Sequence, residues 1–192
     1  ARQQAAQLAQ RPQSSAMLDE SQIELLVRTA AMSGCRGVLF ESDAPLDAND
    51  ETTAYRALVA ESMNRELQLI EPWLTNGKSV GQAVVVDSSA TATVLQVDRA
   101  RLVIPTAWHA QSAEGNSPTA AFVVPGVPES NEAYALSSAG LRPLVSKRVA
   151  GGVRVELDGQ AAPLVLLTED ATVIASFRQR LGRDGRRAAQ LE

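Results

Sequence analysis

Apolar residues recur at two different periods along this chain, and the change of period divides it. Ile23, Leu26, Val27 and Ala30 follow one another at the three- and four-residue steps of a single helix face. Asp19 stands three residues before Gln22, the spacing of a capping box, and Gly34 stands where a left-handed helix end is wanted. Gly37 to Phe40 is a short apolar run that predicts a strand buried on both faces. Asp43 to Asp50 is acidic, contains Pro45 and reads as a loop, with Asn49 or Asp50 placed to cap the next helix. Tyr55, Leu58, Val59, Met63, Leu67, Ile70 and Leu74 trace the apolar stripe of that helix. Pro72 is expected to kink it or start its last turn, and Asn76-Gly77 to end it.

From Val80 the period becomes two or the apolar runs become short. Strands are predicted at 80–86, 91–97, 101–104, 120–124, 132–136, 141–145, 153–157 and 162–168. Turn signals separate them, among them Asp87-Ser88-Ser89, Pro125-Gly126, Gly151-Gly152 and Asp158-Gly159. Val153, Val155 and Leu157 alternate with Arg154 and Glu156, the pattern of a half-exposed strand. Leu164-Val165-Leu166-Leu167 is continuous and predicts a central one. Spacing this regular suggests a β-sandwich. A last helix is predicted from about Ala171, with Val173, Ile174, Phe177 and Leu181 on one side. The pattern therefore reads as an α-β-α unit, then an antiparallel sandwich, then a helix, an α+β chain. A parallel-type strand at 37–40 needs neighbours on both sides, and the sequence offers none of its kind. The expectation is a piece of a larger protein, consistent with a first residue that is not Met.

Composition narrows this picture at a few points. Of the 192 residues 45% are hydrophobic but only 4% aromatic, so the core must rest on Val, Leu, Ile and Ala. The net charge of −4 argues against a dominant nucleic-acid role. A single cysteine, Cys35, excludes an internal disulfide. No apolar run approaches the roughly 20 residues of a membrane span, and the first residues carry no secretory signal pattern.

Glu41 and Asp43 head the chemical candidates. Residues two apart at a strand end point the same way, and α/β folds bind ligands at the C-terminal ends of their strands. A carboxylate pair there accepts hydrogen bonds from a hydroxyl-rich ligand. The competing reading is that the pair caps the next helix or meets a nearby arginine. Asp43, Asp47, Asn49, Asp50 and Glu51 offer oxygens to calcium, but the cluster lacks the EF-hand pattern and suits a helix N-terminus better. His109 is the single histidine and makes no zinc site without cysteine nearby. Its neighbour Trp108 could stack on a sugar face, but a single tryptophan at a sandwich edge more often serves packing. Cys35 reads as a buried structural thiol. Arg178, Arg180, Arg183, Arg186 and Arg187 read as a solvated helix face, since no aromatic residues alternate with them. No phosphate loop, dinucleotide fingerprint or zinc spacing appears, so neither a cofactor nor a metal is expected.

Two stretches carry a resemblance. Gly34-Cys35-Arg36-Gly37-Val38-Leu39-Phe40 with Asn64 to Leu74 resembles the end of the glycoside-hydrolase-like barrel in large exported proteins of planctomycete-type bacteria. Val123 to Ser130, Tyr134, Leu141-Arg142-Pro143-Leu144 and Arg148 to Gly152 resemble the sandwich that follows that barrel. The resemblance implies the last βα unit of a (β/α)8 barrel over 1–77, an accessory β-sandwich over 78–170 and a helix over 171–192. It implies an extracytoplasmic setting and a carbohydrate ligand held by an upstream barrel domain. The catalytic carboxylates of such barrels sit on strands four and seven, so this chain would carry none, and Glu41 and Asp43 would at most touch sugar. The alternative is a non-catalytic carbohydrate-binding or cell-surface structural module. A third is an intact regulatory domain.

Overall fold

The computed structural model describes residues 20–35, 37–40, 46–47, 49–86, 91–107, 120–137, 140–157 and 163–188. Two helices come first, α1 (Glu20–Met32) and α2 (Glu51–Asn76). Nine strands follow: β1 (Lys78–Val86), β2 (Thr91–Val97), β3 (Ala100–Ala107), β4 (Ala120–Val124), β5 (Glu132–Leu136), β6 (Leu141–Pro143), β7 (Ser146–Val149), β8 (Gly152–Leu157) and β9 (Leu164–Thr168). Helix α3 (Ala171–Ala188) comes last. All nine strands belong to one sheet, in the order β6-β5-β9-β3-β2-β1-β4-β8-β7, and every pairing is antiparallel.

Strand β1 is what makes it one sheet. Its first part, Lys78 to Ala83, pairs with β2, and its last part, Val84 to Val86, pairs with β4. The register slips between Ser79 and Gly81, and Gly81 has φ of 131°. A bulge of this kind bends a strand and strengthens its twist, and it lies shortly before the point, between Ala83 and Val84, where β1 changes partner. The edge strands β6 and β7 are joined by only Leu144 and Val145. The Leu144 N–H donates to the Ala133 carbonyl at 2.9 Å, and the Glu156 N–H donates to the Val145 carbonyl at 3.0 Å. The sheet is thereby curled into a half-barrel with its edges brought together.

Curling gives the sheet two cores. Ala92, Val94, Val103, Phe122, Val155 and Val165 fill the inside of the curl. On the outside, Leu102, Ile104, Leu136 and Leu166 meet Ile70 and Trp73 of α2 and Phe177 and Leu181 of α3. Strict alternation serves both: in β9, Leu164 and Leu166 face the helices while Val165 and Leu167 face the inside. That strand lies between β3 and β5 and is buried throughout, as its unbroken apolar run predicts.

This architecture corrects the α+β expectation of a barrel end followed by a sandwich. Gly37–Phe40 forms no strand, and no (β/α)8 repeat is present among the described residues. The physical reason is a lack of partners: all nine strands pair with one another, and Leu39 is 93% exposed with Phe40 at 51%. The sandwich expectation fails because β1 runs unbroken through both ladders, so the two halves are one curled sheet. The strand expected at 141–145 ends at Pro143, before Leu144 and the largely exposed Val145, and a further strand not expected from the sequence, β7, begins at Ser146. Helix α2 continues past Pro72 to Asn76, and its buried face is Thr53, Val59, Met63, Leu69, Ile70 and Trp73. That face is rotated from the expected stripe and leaves Tyr55 and Leu58 exposed.

Helix α1 is fixed to α2 by charge as well as by packing. The buried Arg28 guanidinium donates to both oxygens of Glu66, from Nε at 2.9 Å and Nη2 at 2.7 Å. Two parallel bonds of this kind set orientation and distance together. Glu24, one turn back on α1, is 3.8 Å from the same guanidinium.

Candidate functional site

Glu41 and Asp43 lie outside the described residues, as do Trp108 and His109. The strand expected to aim the two carboxylates is absent from the segment that precedes them. Asp47, Asn49, Asp50 and Glu51 are described, and Asp50 has a structural task. It is the N-cap of α2 and accepts the Thr53 N–H at 2.8 Å. Among the described residues no group of three His, Cys, Asp or Glu is placed to hold a metal ion. Cys35 is exposed, which corrects the expectation of a buried thiol: the chain leaves α1 there without entering a sheet. Arg178 and Arg180 are exposed on α3, as expected of a solvated face.

The caps of α2 and α3 make stability depend on acid. Hydrogen bonds from the Thr53 hydroxyl and then its N–H hold the Asp50 carboxyl below its ordinary range. The Thr172 hydroxyl and N–H do the same for Asp170, at 2.7 and 2.8 Å. A folded pKa below the unfolded one gives stability that is present above the ordinary value of 3.8 and is lost as pH falls through the folded value. The melting temperature should therefore drop on acidification. The double variant Asp50→Asn, Asp170→Asn should drop less steeply, because an amide caps a helix without titrating. Equal acid slopes in thermal melts of the two proteins would contradict this.

Two cavities among the described residues lie where α2 and α3 meet. The smaller, of about 230 Å3, opens beside Trp73. Trp73 is 5% exposed and its ring stacks on Phe177, with centroids 5.4 Å apart. The Trp73 indole N–H is buried and has no acceptor among the described residues. A buried donor left unpaired costs on the order of 1–3 kcal/mol, so a native position with one calls for an explanation.

Three local structures place the polar rim of this cavity. The β2–β3 hairpin supplies Asp98 and Arg99, the two turn residues between the paired Val97 and Ala100. Asp98 takes φ of 50°, which the short carboxylate side chain tolerates. The first turns of α3 supply Asp170, Thr172 and Ser176, with Asp170 fixed by its capping bonds. Arg180, further along α3, completes the rim. Arg99 is 3.5 Å from Glu169 in an exposed ion pair. The cavity thus offers an aromatic wall and a rim of carboxylates, hydroxyls and guanidinium groups. Such a set suits a small ligand that both donates and accepts hydrogen bonds. It contains no histidine and no cysteine to act as nucleophile or base.

No protein-family model, no curated protein and no solved structure matches this chain.

Sequence reasoning missed this site. Its residues come from three places far apart in the chain, and none forms a motif. Partial signals did exist. Trp73 closes a helix that packs on the sheet, and Asp170 with Thr172 is a capping pair at the start of α3. The larger cavity, of about 700 Å3, is a groove along α2 that Cys35, Val38, Leu74 and Leu181 help to line. No helix among the described residues is long and apolar enough to cross a membrane.

Proposed function

We propose that this chain is a non-catalytic carbohydrate-binding module, with the saccharide held in the cavity beside Trp73. The observation that carries the reading is the cavity beside Trp73 itself, an aromatic wall of Trp73 and Phe177 with a rim of Asp98, Arg99, Asp170, Thr172, Ser176 and Arg180. A sugar hydroxyl is an acceptor and a donor at once. It donates a hydrogen bond to a rim carboxylate, Asp98 or Asp170, while the sugar ring lies against the aromatic wall. Ser176 and Arg180 donate to neighbouring hydroxyls. The curled sheet holds these parts in place through Ile70, Trp73 and Phe177, which are anchored in its outer core. Hydrolysis would need a placed acid and a placed nucleophile or base, and the reading assigns neither.

The test is calorimetric titration of the intact chain with methyl glycosides of common hexoses. Small neutral ligands of this size bind with Kd of about 1 mM at ordinary ligand efficiency. Asp98→Ala removes one rim carboxylate at an exposed turn and should weaken binding about tenfold. Aryl glycosides should bind without turnover. Absence of binding by every hexoside up to about tenfold above that Kd would sink the proposal.

A further inference from the structure

We infer that this chain associates with a second copy of itself, the N-terminal half of α2 on one copy meeting the outward side of α3 on the other. The inference goes beyond the saccharide reading, because the residues that carry it line neither the cavity beside Trp73 nor the groove. It starts from where the exposed apolar side chains lie. Of the eleven large hydrophobic residues that are exposed among the described residues, eight fall between Leu25 and Leu58. Single exposed apolar residues are ordinary, whereas a concentration of them marks a contact surface. On α2 they belong to a stripe. Glu51, Tyr55 and Leu58 follow one another at four and three residues, so they are neighbours along one side of the helix, and all three are exposed. Leu46 and Asp47, also exposed, precede the stripe.

Charge identifies the partner. Asp47, Asp50 and Glu51 make this end of α2 acidic, and Glu51 makes no ion pair among the described residues. Helix α3 has the opposite character, with five arginines against the single Asp184 in a chain whose net charge is −4. Its outward side carries Ala171, Ala175 and Arg178, again at steps of four and three residues and all exposed. Arg178 also makes no ion pair among the described residues. Laid antiparallel, the two stripes have the same length, seven residues or about 10 Å from end to end. Glu51 then faces Arg178, while Tyr55 and Leu58 meet Ala175 and Ala171, large side chains against small ones. The chain cannot make this contact with its own α3. Phe177, next to Arg178, stacks on Trp73, and Trp73 stands about 33 Å along α2 from Glu51. The α3 that reaches Glu51 therefore belongs to another copy.

The experiment is sedimentation velocity of the intact chain from about 1 μM to about 1 mM, a range set by the weak affinity of small interfaces. At low salt the chain should associate as its concentration rises. Salt at about 1 M, where the screening length is about 3 Å, should raise the dissociation constant at least about tenfold. Arg178→Glu and Glu51→Arg each set like charges against one another, so each variant alone should stay monomeric at low salt. Mixed in equal amounts the two variants should associate again, because every contact between them then joins opposite charges. Tyr55→Ala should weaken association about tenfold at low and high salt alike, since it removes apolar area rather than charge. Melting temperatures confirm that the variants fold. A chain that stays monomeric at every concentration overturns the proposal. So does association that survives both charge reversals, or a mixture of the two variants that fails to restore it.

Discussion

Val165→Asp is expected to abolish cooperative unfolding. Val165 is fully buried inside the curl and lies opposite Val103 on one side and Ala135 on the other. An aspartate there forfeits the burial of the valine, about 1.5–3 kcal/mol, and adds several kcal/mol for a carboxylate without a partner. Domain stability is about 5–15 kcal/mol in total, so most of it is lost. Val84→Asp provides the control. Val84 lies on β1 and is 64% exposed, so the same chemical change should stay within about 0.5 kcal/mol. Urea unfolding followed by circular dichroism checks both. Similar midpoints for the two variants would mean that the inside of the curl is not a core.

The second large effect lies between α1 and α2. Arg28→Met should cost about 2–3 kcal/mol, because it leaves Glu66 and Glu24 without their cation on partly buried ground. Arg28→Met combined with Glu66→Met should recover most of that loss, since two packed apolar side chains replace the whole pair. The single variant should also respond to pH. Burial raises the Glu24 carboxyl pKa, Arg28 opposes this, and Glu66 and Glu20 add to the rise. A folded pKa above the unfolded one gives stability that is complete below the unfolded value and is lost as pH rises through the folded value. Removing Arg28 removes the one influence that lowers this pKa. The deficit of Arg28→Met should therefore shrink between neutral and mildly acid pH. Chemical unfolding at the two pH values measures it, and a deficit that widens on acidification would contradict the assignment.

Much of the local structure could be read from the sequence, because it depends on neighbours in the chain. The cap at Asp50, the helix end near Gly34, the alternation of β8 and the continuous run of β9 are all local signals. The arrangement of the elements was less legible. The run Val38-Leu39-Phe40 has the composition of a buried strand, but a strand exists only where another backbone meets it, and among the described residues none does. The fusion of two ladders into one curled sheet depends on the bulge at Gly81 and on β1 changing partners, neither of which leaves a clear periodic mark. The site was hidden for a related reason. Trp73, the Asp98 turn and the start of α3 are separated by long stretches of sequence and come together only once the outer core has formed.

The most direct test is the indole N–H resonance of Trp73 in a two-dimensional nitrogen–proton spectrum of the intact chain, assigned through Trp73→Phe. In the free protein this donor is buried and has no acceptor among the described residues. On titration with methyl glucoside the resonance should shift as the saccharide settles against the ring, and the amides of Asp98, Arg99, Thr172 and Ser176 should shift with the same midpoint. An indole resonance that stays in place while saccharide binds elsewhere, or a spectrum unchanged throughout the titration, would contradict the account.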